Sequence, residues 1–95
     1  LKDYILSLGD DITENHLKLY VAFKKIKNII CVEVHSTTVL CYLKLDPKTV
    51  QLEEGFTKDM TDIGHWGTGD LEVRITDKNQ LEKVKPLLER VYNEN

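Results

Sequence analysis

The sequence is poor in most residues that mark a specialised chain: of 95 residues, two are cysteine, two proline, one methionine and one tryptophan. Two cysteines, Cys31 and Cys41, with no CxxC spacing, cannot form a disulfide framework. No apolar run approaches the roughly 18 residues that a membrane-spanning helix needs. Charge of one sign is not in excess either. The formal net charge is −3 and the pI about 5.6, which excludes a broad basic surface for sequence-independent DNA binding. These residues carry no signal peptide, transit pattern or lipidation signal, so the cytoplasm is the expected compartment.

What is present is ordinary globular material. Hydrophobic residues make up 41% and charged residues 31%, enough apolar side chain for one core and too much for a disordered tail. Ninety-five residues is one domain's worth of chain. The chain opens at Leu1 and its sole methionine is Met60. The expectation is therefore a single domain, residues 1–95, forming the C-terminal part of a longer protein.

Leu1, Ile5 and Leu8 recur at helical spacing before Gly9, predicting a short amphipathic helix. Four segments then alternate at period two. They are Leu17–Phe23, Ile30–His35, Val39–Leu45 and Leu71–Ile75, each a half-buried strand. The connections 24–28 and Ser36-Thr37 are short, so the first three strands form an antiparallel meander. With Ser36-Thr37 as a two-residue loop, Val34 faces Val39, Val32 faces Cys41 and Ile30 faces Leu43. The same register sets Cys31 opposite Tyr42 on the other face, so the two thiols point away from one another.

Asp46-Pro47 ends the third of these strands and opens a helical turn. Residues 48–63 read as a helical turn, a bend at Gly55 and a short strand or loop over 56–63. Asp77 with Gln80 is a capping-box pattern, and Leu81, Val84, Leu88 and Val91 form an apolar helical stripe. Pro86 lies inside that helix, where a bend is expected. The fold class is α+β. A mostly antiparallel sheet of four or five strands carries N- and C-terminal helices, in the order α-β-β-β-(α)-β-β-α.

Candidate functional residues fall in three places. The run Gly64-His65-Trp66-Gly67-Thr68-Gly69-Asp70 combines a glycine-rich loop with an imidazole and an indole, able to approach a phosphate and stack on a base. It leads into a strand rather than a helix N-terminus, so it matches no phosphate-loop signature. The simpler reading is a tight corner plugged by tryptophan. Lys24, Lys25 and Lys27, with Lys18 on the strand before them, form a basic tip that could touch phosphates or simply protect a sheet edge. Tyr20 and Tyr42 share a semi-apolar sheet face with Cys31, Glu33, His35 and Leu40, either covered by a helix or left for a partner.

No catalytic constellation assembles. Cys31 and His35 stand roughly 13 Å apart along an extended strand, too far for direct proton transfer. Cys31, Glu33 and His35 share one strand face, but a structural zinc wants four ligands and only distant His16 or His65 could add to them. Asp59, Asp62 and Asp70 read as solvated acids. No metal, cofactor or enzymatic activity is expected of this chain itself.

Beyond these readings, three runs carry a resemblance. They are Leu43-Lys44-Leu45-Asp46-Pro47, the stretch from Gly64 to Val73, and the helix ending Leu87-Leu88-Glu89-Arg90-Val91-Tyr92. Together with Leu6–Asp11 and Tyr20–Phe23 they resemble an uncharacterised bacterial and archaeal domain family labelled "predicted transport protein". Its members often form the C-terminal part of longer chains, some with a restriction-endonuclease-like domain upstream. More distantly, Lys44, Asp46, Pro47, His65, Trp66 and Tyr92 are similar to the pattern of YjbR/MmcQ-like domains. Those have a secretion-chaperone-like α-β(3)-α-β(2)-α fold and a connection to nucleic acids. This sequence departs from them in showing no clear central helix between Pro47 and His65.

The resulting expectation is a non-catalytic accessory or binding domain that positions a neighbouring domain, with a nuclease as the candidate neighbour, through protein or nucleic-acid contacts. Its contact residues would be Lys18, Lys24, Lys25, Lys27, His65 and Trp66. One alternative is a protein-interaction or homodimerisation module using the Tyr20/Tyr42 face. Another is a small-ligand pocket at the Gly64–Asp70 corner. The expected partners are the upstream domain of the same chain, a nucleic acid or protein, or a second copy, and no membrane.

Overall fold

A computed structural model describes residues 1–25, 28–63 and 69–95. Its elements run α1 (Lys2–Ser7), β1 (Thr13–His16), β2 (Val21–Lys24), β3 (Asn28–Val34) and β4 (Val39–Leu43). A 3₁₀ turn (Pro47–Thr49), β5 (Thr57–Asp59), β6 (Leu71–Ile75) and α2 (Lys78–Glu94) follow. The fold is α+β. The six strands form one sheet in the order β1-β2-β3-β4-β6-β5, and every neighbouring pair is antiparallel.

The β3–β4 hairpin has the register expected from its alternation. Ile30 pairs with Leu43, Val32 with Cys41 and Val34 with Val39, and the His35 N–H bonds the Thr38 carbonyl at 2.8 Å. A slip of one residue would carry every apolar side chain to the wrong face. Cys41 lies in the core under the helices and Cys31 in a separate cluster on the other face, so no disulfide joins them.

The beginning of the sheet differs from expectation. The alternating stretch 17–23 is not one strand: β2 starts at Val21, and residues 17–20 form the turn of a β1–β2 hairpin, with the Leu17 N–H bonded to the Tyr20 carbonyl. β1 reads Thr-Glu-Asn-His, without an apolar residue. Main-chain pairing to β2 defines it, and its polarity suits an exposed sheet edge. Among the described residues the sheet therefore has six strands rather than four or five.

α2 begins where the capping pattern places it. The Asp77 carboxylate accepts from the Gln80 N–H at 2.9 Å. The Gln80 side chain reaches back to the Thr76 N–H and hydroxyl at 2.6 and 2.7 Å, one residue earlier than in the standard box. The helix then runs through the exposed Pro86 to Glu94. Val84, Leu88 and Val91 are fully buried against Ile30, Leu43, Leu71 and Val73 of the sheet. Each such side chain contributes about 1.5–3 kcal/mol relative to exposure. α1 lies beside α2 on the same face: Lys2 pairs with Glu14 of β1 at 3.4 Å, and the Tyr4 hydroxyl donates to the Lys85 carbonyl at 3.5 Å.

Between β4 and β6 the described chain contains only the 3₁₀ turn, capped by Asp46 on the Lys48 N–H with Pro47 in the first turn, and β5. Among the described residues no central α-helix is present there. No helix of the described residues is long and apolar enough to cross a membrane.

Candidate functional site

Gly64–Thr68, and with them His65 and Trp66, lie outside the described residues, as does Lys27. The chain re-enters at Gly69, whose φ is +105°. A Cβ at this position would stand 2.6 Å from the Leu43 carbonyl carbon and oxygen. Only glycine allows the strand to enter β6 this close to β4. Beside it an open hollow of about 580 Å³ is bordered by Lys44, Asp46, Lys48, Asp70 and Glu94 among others. Two lysines and three acidic residues thus border one concavity, a lining suited to a small polar ligand carrying both signs of charge. Asp46 is already committed to capping, and Glu94 accepts from Arg90 at 2.8 Å.

Lys18 sits in the β1–β2 turn, while Lys24 ends β2 and Lys25 follows it, so the four-residue strand, about 13 Å long, separates them. Lys25 is also occupied. Its ammonium donates to the Tyr92 carbonyl at 3.1 Å and lies 4.3 Å from the centre of the Tyr92 ring, a cation–π contact. Lys18 and Lys24 remain exposed.

Tyr42 is not on the surface. It is 5% exposed, in a second cluster with Ala22, Cys31 and Met60, against which Tyr20 and Leu40 pack half-buried. Of the two alternatives for this face, a covering helix or a partner, the described residues show neither: Met60 from the segment after β5 packs into the cluster. The Tyr42 hydroxyl donates to the buried Glu72 carboxylate at 3.2 Å, and Arg74 approaches the other Glu72 oxygen at 3.9 Å. Burial first, then the Glu72 and Glu33 charges, push the Tyr42 pKa well above the ordinary phenol value. Tyr42 therefore remains a hydrogen-bond donor.

On this same face Cys31 is buried, and His35 turns to Glu33, 3.2 Å away. Among the described residues no group of three or more His, Cys, Asp and Glu side chains is placed to hold a metal ion. Cys41, wholly buried, has its thiol pushed up to about 12 by desolvation, so it carries essentially no thiolate at neutral pH.

One surface went unanticipated. At the end of the sheet where the β1–β2 and β3–β4 turns meet, Val34 is 76% exposed, Leu19 50% and Leu17 40%. Of these, Val34 lines a hollow of about 250 Å³ with Val21, Phe23, Val32 and Val39, edged by Lys2, Glu14 and His16. A second hollow of about 430 Å³, lined in part by Ile75 and Leu81, shares Leu1 and Val39 with it. The two form an apolar trough on the helix-bearing side of the sheet. The signal in the sequence is Val34: an alternating strand keeps its apolar side chain to the last residue, beyond the reach of the two helices.

These features define a small two-layer α+β domain with a polar corner hollow at one end of its sheet and an apolar trough at the other. The family model described as "Domain of unknown function (DUF5655)" matches residues 1–95, and the chain belongs to that family. It is 31% identical over 93 residues to an uncharacterized protein of Haemophilus influenzae, a match covering 98% of this chain and 31% of the relative. The chain thus spans about a third of that relative's length. No solved structure matches it.

Proposed function

We propose that this chain is a non-catalytic accessory domain that holds and positions a neighbouring domain of a longer polypeptide. One observation carries the reading: the match covers 98% of this chain but only 31% of its relative, where the matching stretch is one part of a larger protein. Domain interfaces within one chain are commonly small and partly apolar, and the hollow lined by Val21, Val32, exposed Val34 and Val39 offers such a surface. A nuclease-like neighbour is what the resemblance to the "predicted transport protein" family implies. The cytoplasm is the compartment we assign, and two cysteines held on opposite faces fit a reducing setting. A kinship with YjbR/MmcQ-like domains draws support from the antiparallel meander and the C-terminal helix.

Calorimetry of the intact polypeptide beside its separated parts tests the central reading. Positioning requires the melting of this domain to shift when the neighbour is attached. A trace equal to the sum of the parts rejects it. The nucleic-acid form of the reading rests on exposed Lys18 and Lys24 and requires oligonucleotide binding that weakens steeply with salt.

The hollow beside Asp70 favours a second reading, a site for a small polar ligand. Chemical-shift changes confined to Lys44–Lys48 and Gly69–Asp70 on adding zwitterionic metabolites would support it. Their absence across a broad panel would remove it.

A further inference from the structure

The sheet ends at β1, which is bonded to β2 alone. In an antiparallel pair, alternate residues turn their N–H and C=O toward the partner strand, and the residues between turn theirs away. The Leu17 N–H bonds the Tyr20 carbonyl, so the hairpin closes on an inward-facing pair. By the same alternation Asn15, opposite Ala22, and Thr13, opposite Lys24, also face β2. Glu14 and His16 therefore turn their main-chain groups outward, and among the described residues nothing takes them up. The other edge strand, β5, has only three residues and carries Lys58, a common guard against edge pairing. β1 has neither lysine nor proline and meets β2 residue for residue, without a bulge.

We propose that β1 is a self-complementary edge on which a second copy of this chain docks antiparallel, joining the two sheets into one. A twofold contact sets outward-facing residues against one another. Within β1 that leaves Glu14 on Glu14, His16 on His16, or Glu14 on His16 of the second copy. The first two oppose like side chains. The third places the axis at Asn15 and uses both outward residues, each pair exchanging two main-chain hydrogen bonds. It also sets every Glu14 carboxylate directly across from an imidazole, a complementary pair of the kind that stabilises antiparallel strands. The same two groups already meet within one chain at 2.5 Å, with Lys2 beside Glu14 at 3.4 Å. On the reverse face this register brings the exposed Leu17 across from Thr13 of the second copy and lays the two Asn15 amides side by side. The contact is short, well under the about 800 Å² per partner of a standard interface, so the dimer is a weak and reversible one.

A cysteine on the axis tests dimer and register together. Non-hydrogen-bonded partners in antiparallel strands have Cα atoms about 4.5 Å apart, within reach of a disulfide, and the native Cys31 and Cys41 are buried. Under mild oxidation Asn15→Cys should give a linked dimer at least about tenfold faster than Thr13→Cys, whose counterpart lies about 13 Å away along the strands. Both positions are exposed, and circular dichroism of each variant checks that the fold is kept. Sedimentation should show a dimer that grows with concentration. His16→Glu opposes carboxylates across the edge and should weaken it about tenfold. Exchanging the pair, Glu14→His with His16→Glu, should restore it. A protein that stays monomeric at millimolar concentration overturns the proposal. So do equal linking by the two cysteines, a dimer indifferent to His16→Glu, and one that the exchange leaves weak, each of which puts the contact elsewhere.

Discussion

The hydroxyl of Tyr92 donates a 2.6 Å hydrogen bond to the carboxylate of Asp11, joining the last turn of α2 to the loop after α1 across 81 positions of sequence. The hydrogen bond from Tyr92 holds the Asp11 pKa below its ordinary value and is the leading cause that raises that of Tyr92. Lys25 stacks on the same ring, so one side chain gathers α2, the α1–β1 loop and the β2–β3 connection.

The tie makes a pH-dependent contribution with two edges. A carboxyl whose folded pKa is depressed stabilises the fold above the ordinary aspartate value of about 3.9, and that contribution fades as pH falls below it. A phenol whose folded pKa is raised stabilises below about 10 and loses its contribution as pH climbs past that. Urea unfolding of Tyr92→Phe against the parent should show the largest difference between those limits. The difference should shrink at about pH 2.5 and again above about pH 11. A difference constant with pH would show that the ring, not the hydroxyl, makes the tie.

Two glycines with positive φ should respond very differently to alanine. Gly69→Ala drives a Cβ into the Leu43 main chain at a left-handed φ, and should cost about 3 kcal/mol or more. Gly55 has φ +80° and open space, with no atom within 4 Å of where a Cβ would stand. Its alanine variant carries only the conformational penalty of about 1–2 kcal/mol. Equal losses in chemical denaturation would contradict the close β4–β6 approach.

Tyr42→Phe removes the hydroxyl that Glu72 accepts from inside the second cluster. The expected loss is about 1–2 kcal/mol, larger than for a neutral exposed pair because a buried carboxylate loses a donor. In a double-mutant cycle with Glu72→Gln the two losses should not add. Additive losses would mean the pair is not coupled.

Both thiols should resist modification in the native state. Cys31 and Cys41 are fully buried, and burial holds the Cys41 thiol at about 12. Reaction with an aromatic disulfide reagent at neutral pH should follow the opening of the fold and become rapid only in denaturant. Rapid titration of either thiol in native buffer would contradict the packing of that cluster.

How far the sequence could be read depended on whether a residue's partner was nearby. The β3–β4 hairpin was legible to the residue, because its register follows from two alternating strands and a two-residue loop. The cap at Asp77 was legible for the same reason, being a matter of three residues. β1 was not, since Thr13–His16 has no apolar side chain and exists through main-chain pairing. Leu17 and Leu19 imitated a strand because their alternation continues that of β2, although they point outward from a turn. Lys25 read as a free basic residue because its partner Tyr92 lies 67 positions away. Whether the Tyr42 face was covered could not be read, because Met60, which packs in its cluster, comes from a stretch without periodicity.

The placement of α2 bears on how the protein is made. Val84, Leu88 and Val91 close the core, yet every strand they cover precedes them in the chain. During translation the sheet therefore leaves the ribosome with this part of its apolar face bare until α2 emerges. α1, the earliest of these elements, must wait for α2 before Tyr4 can reach Lys85 and Asp11 can reach Tyr92. A ribosome stalled before residue 78 would display a half-built sheet whose apolar face is prone to aggregate.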